Sequence, residues 1–411
     1  MSRYRLSLLA AGLVACATSS HAQNLTPQLK VNGFATAGIA WLDEDSAGVS
    51  SSGQRYDNAY YMQNSYGRAG IGKDINTKFD SVAGLQLDYE VNDSANMVLQ
   101  LVAKGQNQDS FKIQADWAYI RYAFNDNWIA RFGRLGFQGF MYSDSMLIGQ
   151  SYPWVRPPSE VYANTPVPSV QGMDLTYRFN LSDKWMFSTQ AFVGTADTSD
   201  NRLELKNLGS VYLTLGTDNL TVRGGYMHFN LANNVSLSPL PDLDDNLDDH
   251  FSSLGVLYDN GQWLLAGEFV QQQVKGWPAD FNAGYFTVGH YFGKWLPYAN
   301  WGKIVTEGSG DKTVPAAGAP TTLINTRPSS IFEQTSYSLG VRYDPKPGLS
   351  FKGQVDHITG MGDYNGMFRY STANSTGATS QTTGTNAVVG AQTLPPLKDT
   401  NLFSLTANVA F

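Results

Sequence analysis

Leu85-Gln86-Leu87-Asp88-Tyr89-Glu90-Val91 sets Leu85, Leu87, Tyr89 and Val91 on one side of an extended chain and Gln86, Asp88 and Glu90 on the other. Successive side chains of a strand point to opposite faces, so this stretch predicts a strand with one apolar and one polar face. The pattern returns at Met173–Asn180, where Met173, Leu175, Tyr177 and Phe179 oppose Asp174, Thr176, Arg178 and Asn180. Tyr337, Leu339, Val341 and Tyr343 oppose Ser336, Ser338, Gly340 and Arg342, and Leu349, Phe351 and Val355 oppose Ser350, Lys352, Gln354 and Asp356. At the end of the chain Phe403, Leu405, Ala407, Val409 and Phe411 alternate with Ser404, Thr406, Asn408 and Ala410. The alternation does not say whether the apolar face meets a protein core or lipid, because both give the same period.

The connections between strands separate the two cases. Short polar turns recur at Asn92-Asp93-Ser94, Asn125-Asp126-Asn127, Ser182-Asp183, Thr217-Asp218-Asn219, Asp259-Asn260-Gly261, Gly293-Lys294 and Pro345-Lys346-Pro347-Gly348. Each has the residues of a tight hairpin turn. Between them lie long polar stretches at 43–80, 136–171, 232–250, 305–334 and 359–398. Short turns at one end and long loops at the other mark a membrane barrel, whereas a soluble sandwich has no reason to segregate them. The expected fold is therefore all-β, a transmembrane antiparallel up-and-down β-barrel. Counting through the turns gives about 16 strands, starting near Leu29, or 18 if Tyr66–Asp74 forms an extra pair. An even, closed barrel leaves no sheet edge in lipid, where each unpaired backbone group costs several kcal/mol.

Composition agrees. Charged residues are 15% of the 411-residue chain, against about 25% in ordinary soluble domains. Tyr (22), Phe (21) and Gly (40) are abundant, and beyond the first residues no apolar run is long enough for a membrane helix. The net charge of -7 argues against a nucleic-acid partner. At the start, Arg3 and Arg5 precede an apolar run from Leu6 to Ala17 and then Ser20-His21-Ala22. This is the order of a secretory signal peptide, predicted over residues 1–22 with the barrel over 23–411. Leu13-Val14-Ala15-Cys16 offers a competing lipid-attachment reading. Cys16 is the only cysteine, so cleavage after Ala22 excludes disulfides and thiolate chemistry from the mature chain.

The final strand resembles the C-terminal targeting signal of outer-membrane proteins, in which alternate apolar residues lead to a terminal Phe. Phe403, Leu405, Val409 and Phe411 carry that likeness, which implies recognition by the barrel-assembly machinery. Trp117-Ala118-Tyr119-Ile120-Arg121-Tyr122 and Trp128-Ile129-Ala130-Arg131-Phe132-Gly133-Arg134 resemble a strand pair of Gram-negative porins that leads into a long loop. Tyr152-Pro153-Trp154-Val155-Arg156-Pro157-Pro158-Ser159-Glu160-Val161-Tyr162 is similar to a motif in an uncharacterised group of proteobacterial porins. The general likeness covers the mature chain, and the sharper motifs cover only about 115–162. The resemblance implies a water-filled outer-membrane channel for small polar solutes and ions, often a homotrimer, in contact with lipid and lipopolysaccharide. It names no solute. A channel specific for a sugar, carboxylate or phosphate is the alternative.

The loop at 136–171 follows the fifth strand by count, and its length marks it as functional or disordered. Its aromatic and proline content favours an ordered loop folded into the lumen, against an outward loop packed on a neighbouring subunit. Parity puts Arg121, Arg131, Arg178, Arg223, Arg342 and Lys352 on polar faces, with Asp88, Glu90, Asp174, Glu268 and Asp356 on the same faces of other strands. Pore width and lining charge set selectivity. The expected pore-lining set is these cations with Arg134, Arg156, Asp144, Glu160, Tyr152 and Trp154. Arg121, Arg131 and Arg178 are expected to form a cationic wall opposite the loop, with Asp144 and Glu160 facing it. Each arginine could equally serve a structural ion pair. Phe137, Phe140, Tyr142, Tyr152, Trp154 and Tyr162 fit loop packing better than a sugar track, and Trp128, Trp185, Trp263 and Trp295 fit an interfacial girdle.

No catalytic residue, metal or cofactor is expected. Of the histidines, His228, His250, His290 and His357 follow the signal, none at metal-ligand spacing, and no Gly-x-Ser-x-Gly elbow occurs. His228 and His357 are the residues a barrel lipase would use at its rim. The acidic stretch 242–249 lacks the Gly and terminal Glu of a helix-loop-helix calcium site and reads as a solvated outer loop. The Ser/Thr/Gly-rich 359–398 segment reads as a mobile outer loop.

Overall fold

The computed structural model describes residues 23–26, 28–43, 48–49, 55–61, 70–107, 110–163, 167–197, 203–233, 247–274, 280–307, 313–316, 319–325, 333–361, 366–373, 379–381 and 399–411. The signal-peptide and Cys16 readings lie outside these residues. So do residues 242–246 of the acidic stretch and most of 359–398.

Sixteen antiparallel strands follow one another in chain order: β1 (Leu29–Leu42), β2 (Val82–Asn92), β3 (Ala95–Asn107), β4 (Ser110–Ala123), β5 (Trp128–Gly136), β6 (Ser169–Asn180), β7 (Met186–Asp197) and β8 (Leu203–Gly216). They continue through β9 (Leu220–Asn233), β10 (Leu247–Asp259), β11 (Trp263–Val274), β12 (Asp280–His290), β13 (Trp295–Glu307), β14 (Glu333–Lys346), β15 (Leu349–Thr359) and β16 (Thr400–Ala410). β1 pairs with β2 through Phe34↔Gly84 and with β16 through Ala37↔Ala407, which closes the barrel. The alternative of 18 strands is not realised among the described residues. Ile71, in the stretch that raised it, makes an isolated bridge to Tyr61 rather than a barrel strand.

The short turns hold their geometry with their own side chains. Asn92 Oδ1 accepts from the Ser94 and Ala95 amides at 2.9 and 3.0 Å, Asn125 Oδ1 from Asn127 and Trp128 at 2.9 Å each, and Asn260 Oδ1 from Gln262 and Trp263 at 3.0 and 2.7 Å. A side-chain oxygen that caps amides two and three residues on is what makes Asn a turn residue.

Burial resolves the ambiguity left by periodicity, because the large apolar residues face outward. Leu339 is 70% exposed to solvent and Phe132 68%, and Leu85, Tyr89, Val91, Met173, Val193, Leu254, Phe269, Phe286 and Leu405 are also exposed. Many buried positions of the same strands are polar, among them Gln100, Asp174, Thr176, Glu268, Thr287, Asn300, Ser336, Gln354, Asp356, Ser404 and Asn408, while apolar ones such as Phe251, Val270 and Tyr285 also face inward. In water this arrangement would sacrifice the hydrophobic driving force, whereas around a membrane it puts the apolar band against hydrocarbon. The expected girdle stands at the short-turn end, where Trp128, Trp263 and Trp295 are exposed and lie 4.5, 4.5 and 4.3 Å from the rings of Tyr177, His290 and Tyr343.

Candidate functional site: the lumen and its loop

The chain leaving β5 turns into the barrel. Residues 137–163 carry two single-turn 3-10 segments, Ser143–Ser145 and Gly149–Ser151, and the short helix α1 (Ser159–Tyr162). The segment has too little regular structure to satisfy its own backbone, so the barrel wall does it. Lys352 on β15 donates to the carbonyls of Gly149, Tyr152 (2.8 Å) and Trp154 (2.6 Å). Arg342 on β14 donates to the Tyr152 carbonyl at 3.1 Å. Gln354 Oε1 accepts from the Val155 amide at 3.1 Å, and Glu268 Oε1 on β11 from the Met141 amide at 2.8 Å. Arg223 on β9 reaches the carbonyl and side chain of Gln138 at 3.2 Å. Trp154 Nε1 donates to Thr287 on β12 at 2.9 Å. The loop is thus bonded to the inner faces of β9, β11, β12, β14 and β15 and folds inward as expected.

Two carboxylate-centred contacts complete the docking. Arg156 forms a bidentate pair with Asp80, at 2.8 and 2.6 Å, and donates to Ser404 on β16 at 2.7 Å, with Asp356 at 3.6 Å. Burial alone would lower the basicity of this guanidinium, but Asp80 and Asp356 outweigh it and hold it above its ordinary value. Glu160 in α1 is 1% exposed and accepts from Gln334 at 2.7 Å and from Ser336. Burial pushes its carboxyl up, the hydrogen bonds from Ser336 and Gln334 oppose the rise, and Asp356 adds to it. Tyr61 closes the cluster against Ser159 at 2.5 Å.

The loop aromatics are packing residues, as the composition suggested. Phe137, Phe140, Tyr142, Tyr152, Trp154 and Tyr162 are all buried, with Phe140 edge-on to Phe251 at 5.5 Å and Trp154 edge-on to Tyr285 at 5.3 Å.

On its other side the loop faces β3 and β4 across a narrow cleft, lined by Gln100, Lys104, Asp116 and Trp117 on the wall and by Ser143, Asp144, Met146 and Ile148 on the loop. Beside this cleft the register seats Arg121 next to Arg131. Arg131 makes a bidentate pair with the buried Asp174, Nε to Oδ1 at 3.1 Å and Nη2 to Oδ2 at 2.5 Å, and its guanidinium lies 5.5 Å from the centre of the Tyr119 ring. Asp144, held by Gln138 at 2.6 Å, acts electrostatically on Arg131. The wall beside the cleft therefore carries charges of both signs, Arg131 with Asp174 and Lys104 with Asp116, and the loop adds the carboxylate of Asp144.

Of the expected pore-lining set, Lys352, Tyr152 and Trp154 are buried between loop and wall, and Glu160, Arg178 and Arg134 stand elsewhere. Glu160 does not face the cationic wall, because α1 docks it on β14. Arg178 is exposed at the short-turn end, where its backbone pairs with Asn127. Arg134 is not lumen-lining: it pairs in register with Ala118 and Gln171, on the face that carries the exposed Ile120 and Met173. Three residues from an inward Arg131 is an odd step, and an odd step in a strand changes the face. Near the loop end of its strand, an outward arginine costs about 0–1 kcal/mol rather than the midplane penalty of about 2–4.

Asp80, Lys104 and Asp116 escaped the sequence reading. Lys104 and Asp116 lie 3.7 Å apart on neighbouring strands, and Asp80 sits in an irregular stretch whose partner is distant in the chain. The rim histidines of the lipase alternative are outward. His357 Nδ1 is 2.9 Å from Asn401 Oδ1, and His228 faces His250. Of the 359–398 segment, Phe368–Ala373 is a strand paired with Arg55–Tyr61, with Phe368 against Tyr61.

No family model matches the chain, and no curated protein matches it. Solved structures do. The outer membrane protein OmpT of Vibrio cholerae in its trimer form aligns over 93% of this chain and 99% of its own, at 14% identity and a TM-score of 0.52. The anion-selective porin of Comamonas acidovorans aligns over 93% and 99% at 12% identity and 0.53, and Salmonella typhi OmpF over 93% and 97% at 12% and 0.53. At this identity the likeness speaks to architecture. The fold of this chain is that of Gram-negative outer-membrane porins.

Proposed function

We propose that the barrel lies in the outer membrane of a Gram-negative cell and is a passive channel for small polar solutes and ions. The observation that carries this reading is the loop bonded to one side of the inner wall, which leaves a charged cleft between it and β3 and β4. A polar lumen substitutes for the hydration of a solute, and a narrow part with opposed charges sorts solutes by size and sign. Arg121, Arg131 and Lys104 supply positive charge on the wall beside their partners Asp174 and Asp116, and Asp144 supplies negative charge on the loop. Homotrimeric assembly, as in the trimer form of the Vibrio cholerae neighbour, belongs to the same proposal, as does delivery to the membrane through the Phe403–Phe411 strand.

Planar-bilayer recording of the refolded chain tests the reading. Discrete ohmic conductance steps are expected, rising when residues 143–151 are replaced by a short Gly/Ser link. A folded barrel that gives no steps, with or without that replacement, would refute the channel. A sugar, carboxylate or phosphate that blocks the current saturably would convert it into a substrate-specific one.

A further inference from the structure

His228 on β9 and His250 on β10 are 22 residues apart in sequence, yet the strand register pairs them directly. Their rings lie 5.0 Å apart at 40°. Both point out of the barrel, since their neighbours Met227, Phe229, Asp249 and Phe251 are the buried, inward residues. Below them the outward face carries Tyr226 and then Leu254 and Val256, all exposed. The pair thus sits just past the apolar band, on the side of the long loops.

Three further features shape the place. Tyr226 Oη lies 2.5 Å from His250 Nδ1, which fixes that ring and, when Nδ1 carries the proton, leaves the Nε2 lone pair free. Asp248 Oδ1 lies 3.7 Å from His228 Nε2, the two side chains being 37% and 39% exposed. Asp248 is in turn held by Asn230 at 3.0 Å, and Asn230 by Asn207 at 3.0 Å. Asn207 is the one non-glycine residue with positive φ among those described, at 51°, in a bulge of β8. A left-handed asparagine is tolerated at modest cost, and here it aims an amide along the outer face.

We propose that His228 and His250 form a cross-strand site for a divalent transition-metal ion such as Zn²⁺, Ni²⁺ or Cu²⁺. Two imidazole nitrogens bound to one ion at about 2.0–2.1 Å with a tetrahedral angle place their ring centres about 5 Å apart, the separation already present. No group of three or more His, Cys, Asp or Glu among the described residues is arranged to hold a metal, so the described residues give two ligands and water completes the shell. Asp248 is a positioning residue that orients His228 and offsets the charge of the ion, as outer carboxylates do at histidine sites. Imidazole donors select Zn²⁺, Ni²⁺ and Cu²⁺ over Mg²⁺ and Ca²⁺.

The test is isothermal titration of the untagged, refolded full chain in detergent with Zn²⁺, Ni²⁺, Mg²⁺ and Ca²⁺, and electron paramagnetic resonance of the Cu²⁺ form. Saturable binding of one Zn²⁺ or Ni²⁺ per chain is expected, with a two-nitrogen Cu²⁺ spectrum and no competition from Mg²⁺ or Ca²⁺. His228→Ala and His250→Ala should each abolish saturable binding, and His290→Ala with His357→Ala should leave it intact. Asp248→Asn should weaken it about 10–100-fold with the nitrogen count unchanged. Circular dichroism and heat-modifiable gel migration identify variants that fail to fold. Binding that survives loss of either histidine in a folded variant, or that Mg²⁺ displaces, overturns the proposal. So does a wild-type chain that binds only non-saturably.

Discussion

Gly33 and Phe411 close the barrel against each other. Each donates its backbone amide to the other's carbonyl at 2.9 Å, and the Phe411 ring occupies the space that a Cβ at Gly33 would need, 2.3 Å from its ideal position. The last residue is therefore seated in a notch that only glycine leaves open.

Gly33→Val should accordingly overpack the seam, at a cost of about 1–3 kcal/mol. Phe411→Ala should remove the ring and lower the yield of assembled barrel. Combined, the two should be much less than additive, because once the ring is gone the valine has nothing to displace. Urea-induced unfolding followed by gel mobility reads all three. Strict additivity would mean that the ring and the glycine do not share that space.

Arg121→Gln and Arg131→Gln should move ion preference toward cations, and reversal potentials in a salt gradient measure the change. The two differ in stability. Arg131→Gln leaves Asp174, 1% exposed, as an uncompensated buried charge, with a cost of about 3–5 kcal/mol. Arg131→Gln combined with Asp174→Asn should recover most of that loss and, because the pair is then removed with no net change in charge, return ion preference toward the parent. Arg121→Gln should shift selectivity with little effect on stability.

How much of this could be read in advance follows from the range of each interaction. The faces of β2, β6, β14, β15 and β16 were legible because face depends only on the parity of neighbouring residues. The turns were legible because Asn92, Asn125 and Asn260 bond amides two or three residues away. The inward course of the loop was legible from its place after the fifth strand and its aromatic content. Pairings such as Arg156 with Asp80, or Glu160 with Gln334, depend on where a loop lands on the far wall, and nothing local encodes that. His228 and His250 show the same limit. Their spacing along the chain suggests no ligand pair, and only the register of β9 on β10 brings them together.

Lys352→Met should release the loop. The ammonium is the shared donor for three carbonyls in a buried place, and each acceptor left without a donor costs about 1–3 kcal/mol. Methionine fills similar volume, so the change removes the bonds without opening a large cavity. Larger and noisier conductance steps are expected, with the strand content seen by circular dichroism retained. Steps identical to the parent would show that Arg342, Gln354 and Trp154 hold the loop without it.

Glu160 gives loop docking a pH dependence whose sign can be worked out. Its carboxyl is raised in the docked state, first by burial and against the hydrogen bonds from Ser336 and Gln334, with Asp356 adding to the rise. A group with a raised folded value favours the docked state most below its undocked value, about 4.3 for a free glutamate, and loses that contribution as pH climbs through the raised value. Docking should thus be tightest in acid and weaken as pH climbs through the raised value, and conductance should rise with pH above about 4. Glu160→Gln keeps an acceptor for Gln334 and cannot ionise. It should hold the channel near its acid conductance throughout that range and flatten the response. A Glu160→Gln channel that still opens with rising pH would assign the effect to Asp356 or to the wall carboxylates instead.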